Sequence, residues 1–568
     1  MGVAGGLQPS AGILGYPSMP KLFRPAISLA SANIVAVVLV LANCAQIPPL
    51  PLDPAGRLFA RGLDQIDELY IVKVSNRALV FDAANRLAQL DPKLRVTEVS
   101  GPHDQTEIIL TYDSREVATY PSPSGDDPHV WGGWLGQFGA DAKRASPTLA
   151  AKSQDDLDKV LFDGITSGLD RFSRYNTPQV ARDQRAARDG FGGIGILLED
   201  DANPYRITKV VPGSPADTVG IRVGDGLLAV DGQPTANRSQ NEVIRQLRGA
   251  IASTVAVTVD RPAGGGRRSY RLQRTLIVLP TVTVTRVTDV AVFHVSGFNQ
   301  NTTQQLVADL EDIERQLGPQ LHGAVLDLRG DPGGLLDQAV SLADVFIEKG
   351  PIAATVGRNP ASRQYFEASG EAVAAHVPMV VLINGGSASA SEIVAAALQD
   401  AGRAVVVGTA SYGKGTVQTV LRLPNDGELV LTWAELVAPA GYSLNGHGVV
   451  PTICTSRVGD DPRSIEAVLQ HIGEAASAEA VTTAPRASLD ERDWAELRAA
   501  CPPRPGDRAV DLTVAERLLA DPALYAQAVH TIGSASNLAA KPVSSAPTTS
   551  KGALTGYSGS LSSSEHPP

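Results

Sequence analysis

Pro378-Met-Val-Val-Leu-Ile-Asn-Gly-Gly-Ser-Ala-Ser-Ala-Ser-Glu-Ile-Val-Ala-Ala-Ala-Leu-Gln-Asp-Ala401 reads as strand, turn and helix in succession. The apolar run Pro378–Asn384 suits a strand, the small residues 385–389 a tight turn, and the Ala-rich stretch Ala390–Ala401 a helix. The same alternation extends outward. Strands are expected at Val290–Val295, Gly323–Leu328 and Ala404–Gly408, with helices at Thr303–Leu317 and Leu335–Glu348. Alternating strands and helices imply an α/β layer with partly parallel strands.

Upstream, the character changes at Phe191. Glycine turns separate short strand-like runs at Ile194–Leu198, Arg206–Val211, Gly226–Val230, Val255–Asp260 and Tyr270–Leu272, with one helix at Asn241–Leu247. Residues 191–277 thus read as a small β domain, and 278–455 as the α/β core. Residues 58–190 read as a helical region. Within it Leu63, Ile66, Leu69 and Tyr70 follow helical spacing, Asp155–Arg171 is a second helix, and 97–150 gives few signals. The stretches 78–91 and 159–170 echo each other weakly, both ending in Leu-Asp. Residues 47–57 form a Pro-rich linker. Residues 456–532 are expected to add helices, notably Val514–His530. The Ser/Ala/Pro/Thr-rich segment 533–568 reads as a disordered tail.

With 568 residues, 43% of them hydrophobic, the chain can build several cores. A net charge of −11 without a concentrated basic run argues against a nucleic-acid partner. The nine His are scattered, and neither HExxH nor Cys-x-x-Cys occurs, so no metal and no cofactor is expected. Lys21 and Arg24 precede an apolar run, Ala26–Ala42, and residues 1–46 read as an export signal or a retained membrane anchor. Leu41-Ala-Asn-Cys44 is similar to a lipoprotein cleavage box, with Asn43 departing from it, which makes Cys44 a candidate for lipidation. Of three Cys, Cys454 and Cys501 then remain as a pair that is either bonded in an oxidising compartment or two free thiols.

Three segments carry candidate chemistry. A serine at the 384–392 turn sits at a helix N-terminus, where free N–H groups favour a developing negative charge. The same spacing, Ser389 to Glu392, is that of a capping box. Gly408-Thr-Ala-Ser-Tyr-Gly-Lys414-Gly-Thr-Val-Gln418 matches most of a P-loop. However, Gly415 stands where Ser or Thr should bind magnesium, and the following residues alternate like a strand rather than opening a helix. Lys414 can instead serve as a general base if burial or nearby positive charge keeps it neutral, with no histidine required. Asp327-Leu-Arg-Gly-Asp-Pro-Gly333-Gly334-Leu follows a strand, and its glycine amides are candidates for meeting a substrate carbonyl. Residue reading alone leaves Ser387, Ser389 and Ser391 all open.

Taken together, these segments resemble the tail-specific, or carboxyl-terminal processing, serine peptidases of family S41. The similar blocks include Phe191–Ile196, Pro212–Ala216, Gly224–Gly232, Asp327–Gly334, Asn384–Glu392, Gln399–Ala404, Gly413–Gln418 and Gly441–Gly446, in the family's order. The resemblance implies a crotonase/ClpP-like α/β peptidase core carrying an inserted PDZ-like β domain. It implies Ser389 as nucleophile, Lys414 as general base and Gln418 as the residue orienting that lysine. It further implies an oxyanion hole from the amides of Ala390 and of Gly333 or Gly334. Gly193-Ile194-Gly195-Ile196 resembles the PDZ loop that binds peptide C-termini by strand addition, so protein C-termini with apolar ends are the implied substrates. Gating of the active site by the PDZ domain, an adaptor partner and a cell-envelope location are implied as well. The chain departs from the family at Gly330-Asp331, His447 and Thr452. The rival readings are a non-catalytic binding protein of the same fold, a crotonase-type acyl-CoA enzyme and a PDZ scaffold.

Overall fold

A computed structural model describes residues 52–536, apart from 101–105, 200–202, 263–264, 374–375, 471 and 473–485. The expected export segment, Cys44 and the C-terminal tail beyond residue 536 lie outside the described residues.

Met379–Ile383 is apolar throughout because both of its faces are covered. Val381 and Ile383 face the helices Thr302–Leu317, Leu336–Asp344 and Ala390–Asp400. Val380 and Leu382 face the helices Pro462–Gln470 and Ala509–Ala520. The sheet between these layers runs in the order Val282–Val287, Val290–Val295, Gly323–Asp327, Met379–Ile383, Val405–Gly408, Ile453–Cys454. Its first pair is antiparallel and every later pair is parallel. Three neighbouring parallel strands therefore release their chains at one edge, after Asp327, Ile383 and Gly408. In open α/β sheets that carboxyl edge is where sites are built.

A second sheet continues from that edge. Thr416–Arg422 pairs antiparallel with Glu428–Val437, which also pairs with Pro351–Val356 and with the short strand Arg174–Asn176. Leu423, Leu429 and Leu431 from this sheet enter the core of the N-terminal region. The β domain has the sheet order Gly266–Gln273, Thr254–Arg261, Gly226–Val230, Tyr205–Val210, Ile196–Leu198, which leaves the last strand at an edge.

The expectations for the N-terminal region need correction. The region expected to be helical opens with two helices, Pro54–Leu69 and Asn76–Leu90, the second capped by Ser75. Among the described residues of 94–150, the strands Leu94–Ser100, Thr106–Tyr112 and Arg115–Pro121 pair antiparallel in sequence order, and the helix Pro128–Ala145 follows. Trp131, Trp134, Leu135 and Phe138 of that helix are buried at helical spacing. Its glycines obscure the helical signal, since glycine is a poor helix former. They are there for close approach. A Cβ on Gly132 would lie 2.2 Å from Ala60 N, and one on Gly136 would lie 2.6 Å from Gly56 N. Near the C-terminus, the single helix expected over Val514–His530 is two, Ala509–Ala520 and Pro522–Ser536, broken at Asp521–Pro522.

Candidate active site

The three serines of the turn have different fates. Ser387 is buried, and its hydroxyl accepts from Asn384 N and donates to Leu328 O at 2.8 Å. Ser391 is buried, and its hydroxyl donates to Asp331 O at 3.0 Å. Ser389 is half-buried, and its hydroxyl forms no capping hydrogen bond. Its backbone has φ 57° and ψ −113°. An N-cap residue is normally extended, and a non-glycine residue at positive φ is strained. In the expected capping box, Ser389 N donates to Glu392 Oε2 at 2.7 Å.

Glu392 does more than cap. It is fully buried and accepts from Ser411 Oγ at 2.5 Å, Gly413 N at 2.6 Å and Lys414 N at 2.8 Å. Burial pushes its carboxyl up, against the pull of these four donors. One carboxylate thus holds the backbones of Ser389 and Lys414 together. Tyr412 N adds a bond to Ser387 O at 3.0 Å. Sequence reasoning missed this role, because the Ser-x-x-Glu spacing points only to the helix end.

Gly415 packs so closely on the 444–445 loop that a Cβ there would lie 1.9 Å from Asn445 N. The chain then enters the strand Thr416–Arg422, which excludes a P-loop helix. The Lys414 side chain is partly buried, with Nζ 5.2 Å from the Phe172 ring centroid. Burial first, and then the positive charge of Arg174, lower its pKa, while Glu392 and Asp170 pull it back up. Arg174 donates to Phe172 O at 3.0 Å, so the segment 170–174 forms one wall around the amine. Among the described residues no hydrogen bond joins Lys414 Nζ to Ser389 Oγ. Nor does Gln418 bond Lys414. Its Nε2 donates to Thr416 Oγ1 at 2.9 Å and Thr432 Oγ1 at 3.2 Å, and Thr432 donates on to Asp170 Oδ1. Gln418 therefore reaches the lysine through the Asp170 wall.

The Pro-Gly-Gly loop is brought against the serine turn. A Cβ on Gly333 would lie 2.6 Å from Ala388 O and 2.8 Å from Ala390 N. Gly333 N donates to Asp331 Oδ1 at 2.8 Å, and Gly334 packs on Phe298 O. Ala390 opens the buried helix, where its amide has no intrahelical acceptor. In the β domain, Gly193 pairs with Thr275, Ile194 is in the core, and Gly195 has φ 82°. Ile196 begins the edge strand. Cys454 and Cys501 are disulfide-bonded, joining the last core strand to the helix Glu491–Ala500. Arg498 of that helix donates to Ser411 O at 3.1 Å and also to His447 O. Among the described residues, no cluster of His, Cys, Asp or Glu could hold a metal ion, and no helix is long and apolar enough to cross a membrane.

The family model of peptidase family S41 matches residues 289–455, the parallel core with both loops. A PDZ domain model matches residues 206–261. A carboxy-terminal-processing protease of Bartonella bacilliformis is 37% identical over 294 residues, covering 51% of this chain and 68% of that protein. The chain belongs to peptidase family S41. The carboxyl-terminal-processing protease of a Picosynechococcus species is 31% identical over 307 residues, covering 53% of this chain and 73% of that one. Among solved structures, a photosystem II D1 C-terminal processing protease aligns over 70% of this chain and 92% of its own, at 23% identity and a TM-score of 0.36. The peptidase is accordingly a serine protease of the C-terminal-processing group, with a PDZ domain and protein substrates.

Proposed function

We propose that the peptidase cleaves exported proteins through a Ser389–Lys414 dyad, choosing them by apolar C-termini taken up on the PDZ edge strand. The observation that carries this reading is Glu392. A single buried carboxylate fixes the two loops that present a half-buried serine and a desolvated lysine.

In this mechanism neutral Lys414 takes the proton from Ser389 Oγ as Oγ bonds to the scissile carbonyl carbon. The oxyanion meets the Ala390 amide and an amide of the Gly333–Gly334 loop at the helix N-terminus. Protonated Lys414 then gives its proton to the departing amine, and the C–N bond breaks. A water, deprotonated by the same lysine, releases the acyl group. Gln418 acts by fixing Thr432 and Asp170 behind the lysine. The substrate C-terminus pairs beside Ile196–Leu198, its carboxylate meeting the amides of Gly193–Ile196. Export rests on the basic flank and apolar run of residues 21–42, and either attachment to the membrane or release there is compatible with it.

The test uses peptides ending in apolar residues, incubated with native, Ser389→Ala and Lys414→Ala protein. Cleavage by the native chain alone is expected. Equal cleavage by Ser389→Ala would defeat the proposal.

A further inference from the structure

Asp331 is completely buried two residues before Gly333, which packs against the serine turn. Its Oδ1 takes the Gly333 N–H at 2.8 Å. Its carbonyl accepts from Ala388 N at 3.0 Å and from Ser391 Oγ at 3.0 Å, so the residue is bolted to the turn on both sides of Ser389. Its Oδ2 is buried with no hydrogen-bond partner among the described residues.

No cation serves this carboxyl. On its own loop, Arg329 is spent on Asp327 and Asp511. On the helix behind the turn, Glu392 is held by Ser389, Ser411, Gly413 and Lys414. Asn384, whose Oδ1 accepts from Gly330 N, gives its Nδ2 to Asp507. Gly297 and Phe298, packed on the glycine pair, bring no titratable side chain. Desolvation therefore dominates, and it pushes the Asp331 carboxyl up to about 7, against the pull of the Gly333 amide and of Ser391.

We propose that Asp331 is a positioning residue of the oxyanion loop, which is competent when its carboxyl is neutral and blocked when it is ionised. The inference rests on the active-site reading above. An ionised Asp331 grips the Gly333 N–H with a charge-assisted bond. It also places a negative charge beside the site where the substrate oxyanion must form, where fixed charge of the wrong sign costs most. A neutral carboxyl is a weaker acceptor and leaves that amide free to turn to the substrate. One proton on one buried side chain thus sets the state of the loop.

The test is the ratio of kcat/KM for Asp331→Asn to that of native protein, measured from pH 5 to pH 9 on one peptide. Lys414 titrates in both proteins and cancels from the ratio. Relative to its acid value, the ratio is expected to reach about 2 at pH 7 and to grow about tenfold per pH unit above it, following the ionised fraction of Asp331. A ratio constant with pH, as a purely structural role would give, overturns the proposal. Asp331→Ser, also neutral and able to accept from Gly333 N, should reproduce the rise if the Asn variant folds poorly. Loss of the rise in both variants also counts against it. Failure of the dyad itself would be seen separately, as cleavage surviving Ser389→Ala, and leaves the ratio interpretable.

Discussion

The serine turn and the lysine loop are held by the same carboxylate, yet they are built in opposite ways. At Ser389 the backbone is strained and the side chain is half-exposed. At Lys414 glycines on either side relieve the backbone, and the side chain is hemmed in by Phe172, Arg174 and Asp170. The surroundings of Ser389 come mainly from the loops of the parallel core. Those of Lys414 are borrowed from residues 170–174, which join the second sheet through the strand Arg174–Asn176. Ser389 is thus positioned by local geometry, and Lys414 is tuned by a distant part of the chain.

The widest separation between the two loops should come from Ser389 substitutions. Ser389→Ala is expected to lower kcat/KM by at least about 10⁴-fold in a peptide-cleavage assay, since loss of a nucleophile removes the covalent route. Its thermal unfolding should be nearly unchanged. Glu392→Ala should strike both loops at once. It strips a buried acceptor from four donors and should cost about 3 kcal/mol or more of stability in urea unfolding, along with most of the activity. If Glu392→Ala unfolded like native protein, the shared clamp would be wrong.

Arg174→Met touches only the lysine side. Removing that positive charge lets Lys414 keep its proton to higher pH, so the rising limb of the pH–rate profile should move to higher pH by about one unit or less. Arg174→Lys should leave it in place. An acid-ward shift in Arg174→Met would contradict the tuning. The smallest effect belongs to the serine backbone. Ser389→Gly, compatible with φ 57°, should raise stability by about 1 kcal/mol while abolishing activity, as seen by comparing its melting with that of Ser389→Ala.

The parallel core was legible because its strands are apolar on both faces and alternate with helices. The serine turn and the lysine loop were legible as segments for the same reason, each following such a strand. The choice among three serines was not, since it depends on Leu328 and Asp331 taking the hydroxyls of Ser387 and Ser391 from across the fold. The meander at 94–121 was hidden because its turn uses Asp113 and Ser114, both at positive φ, where Asn-Gly would have announced a hairpin. The wall at 170–174 carries no local signal at all. It is defined only once Arg174 pairs opposite Val430.

The most direct measurement of the dyad is the rate of acyl-enzyme formation in a single turnover with an activated ester, read by mass spectrometry of the Ser389 peptide across pH. The account predicts an acyl group on Ser389, formed at a rate that rises with pH up to about pH 7 in native protein and is nearly abolished in Lys414→Ala. An acyl group elsewhere, or an equal rate in Lys414→Ala, would contradict it.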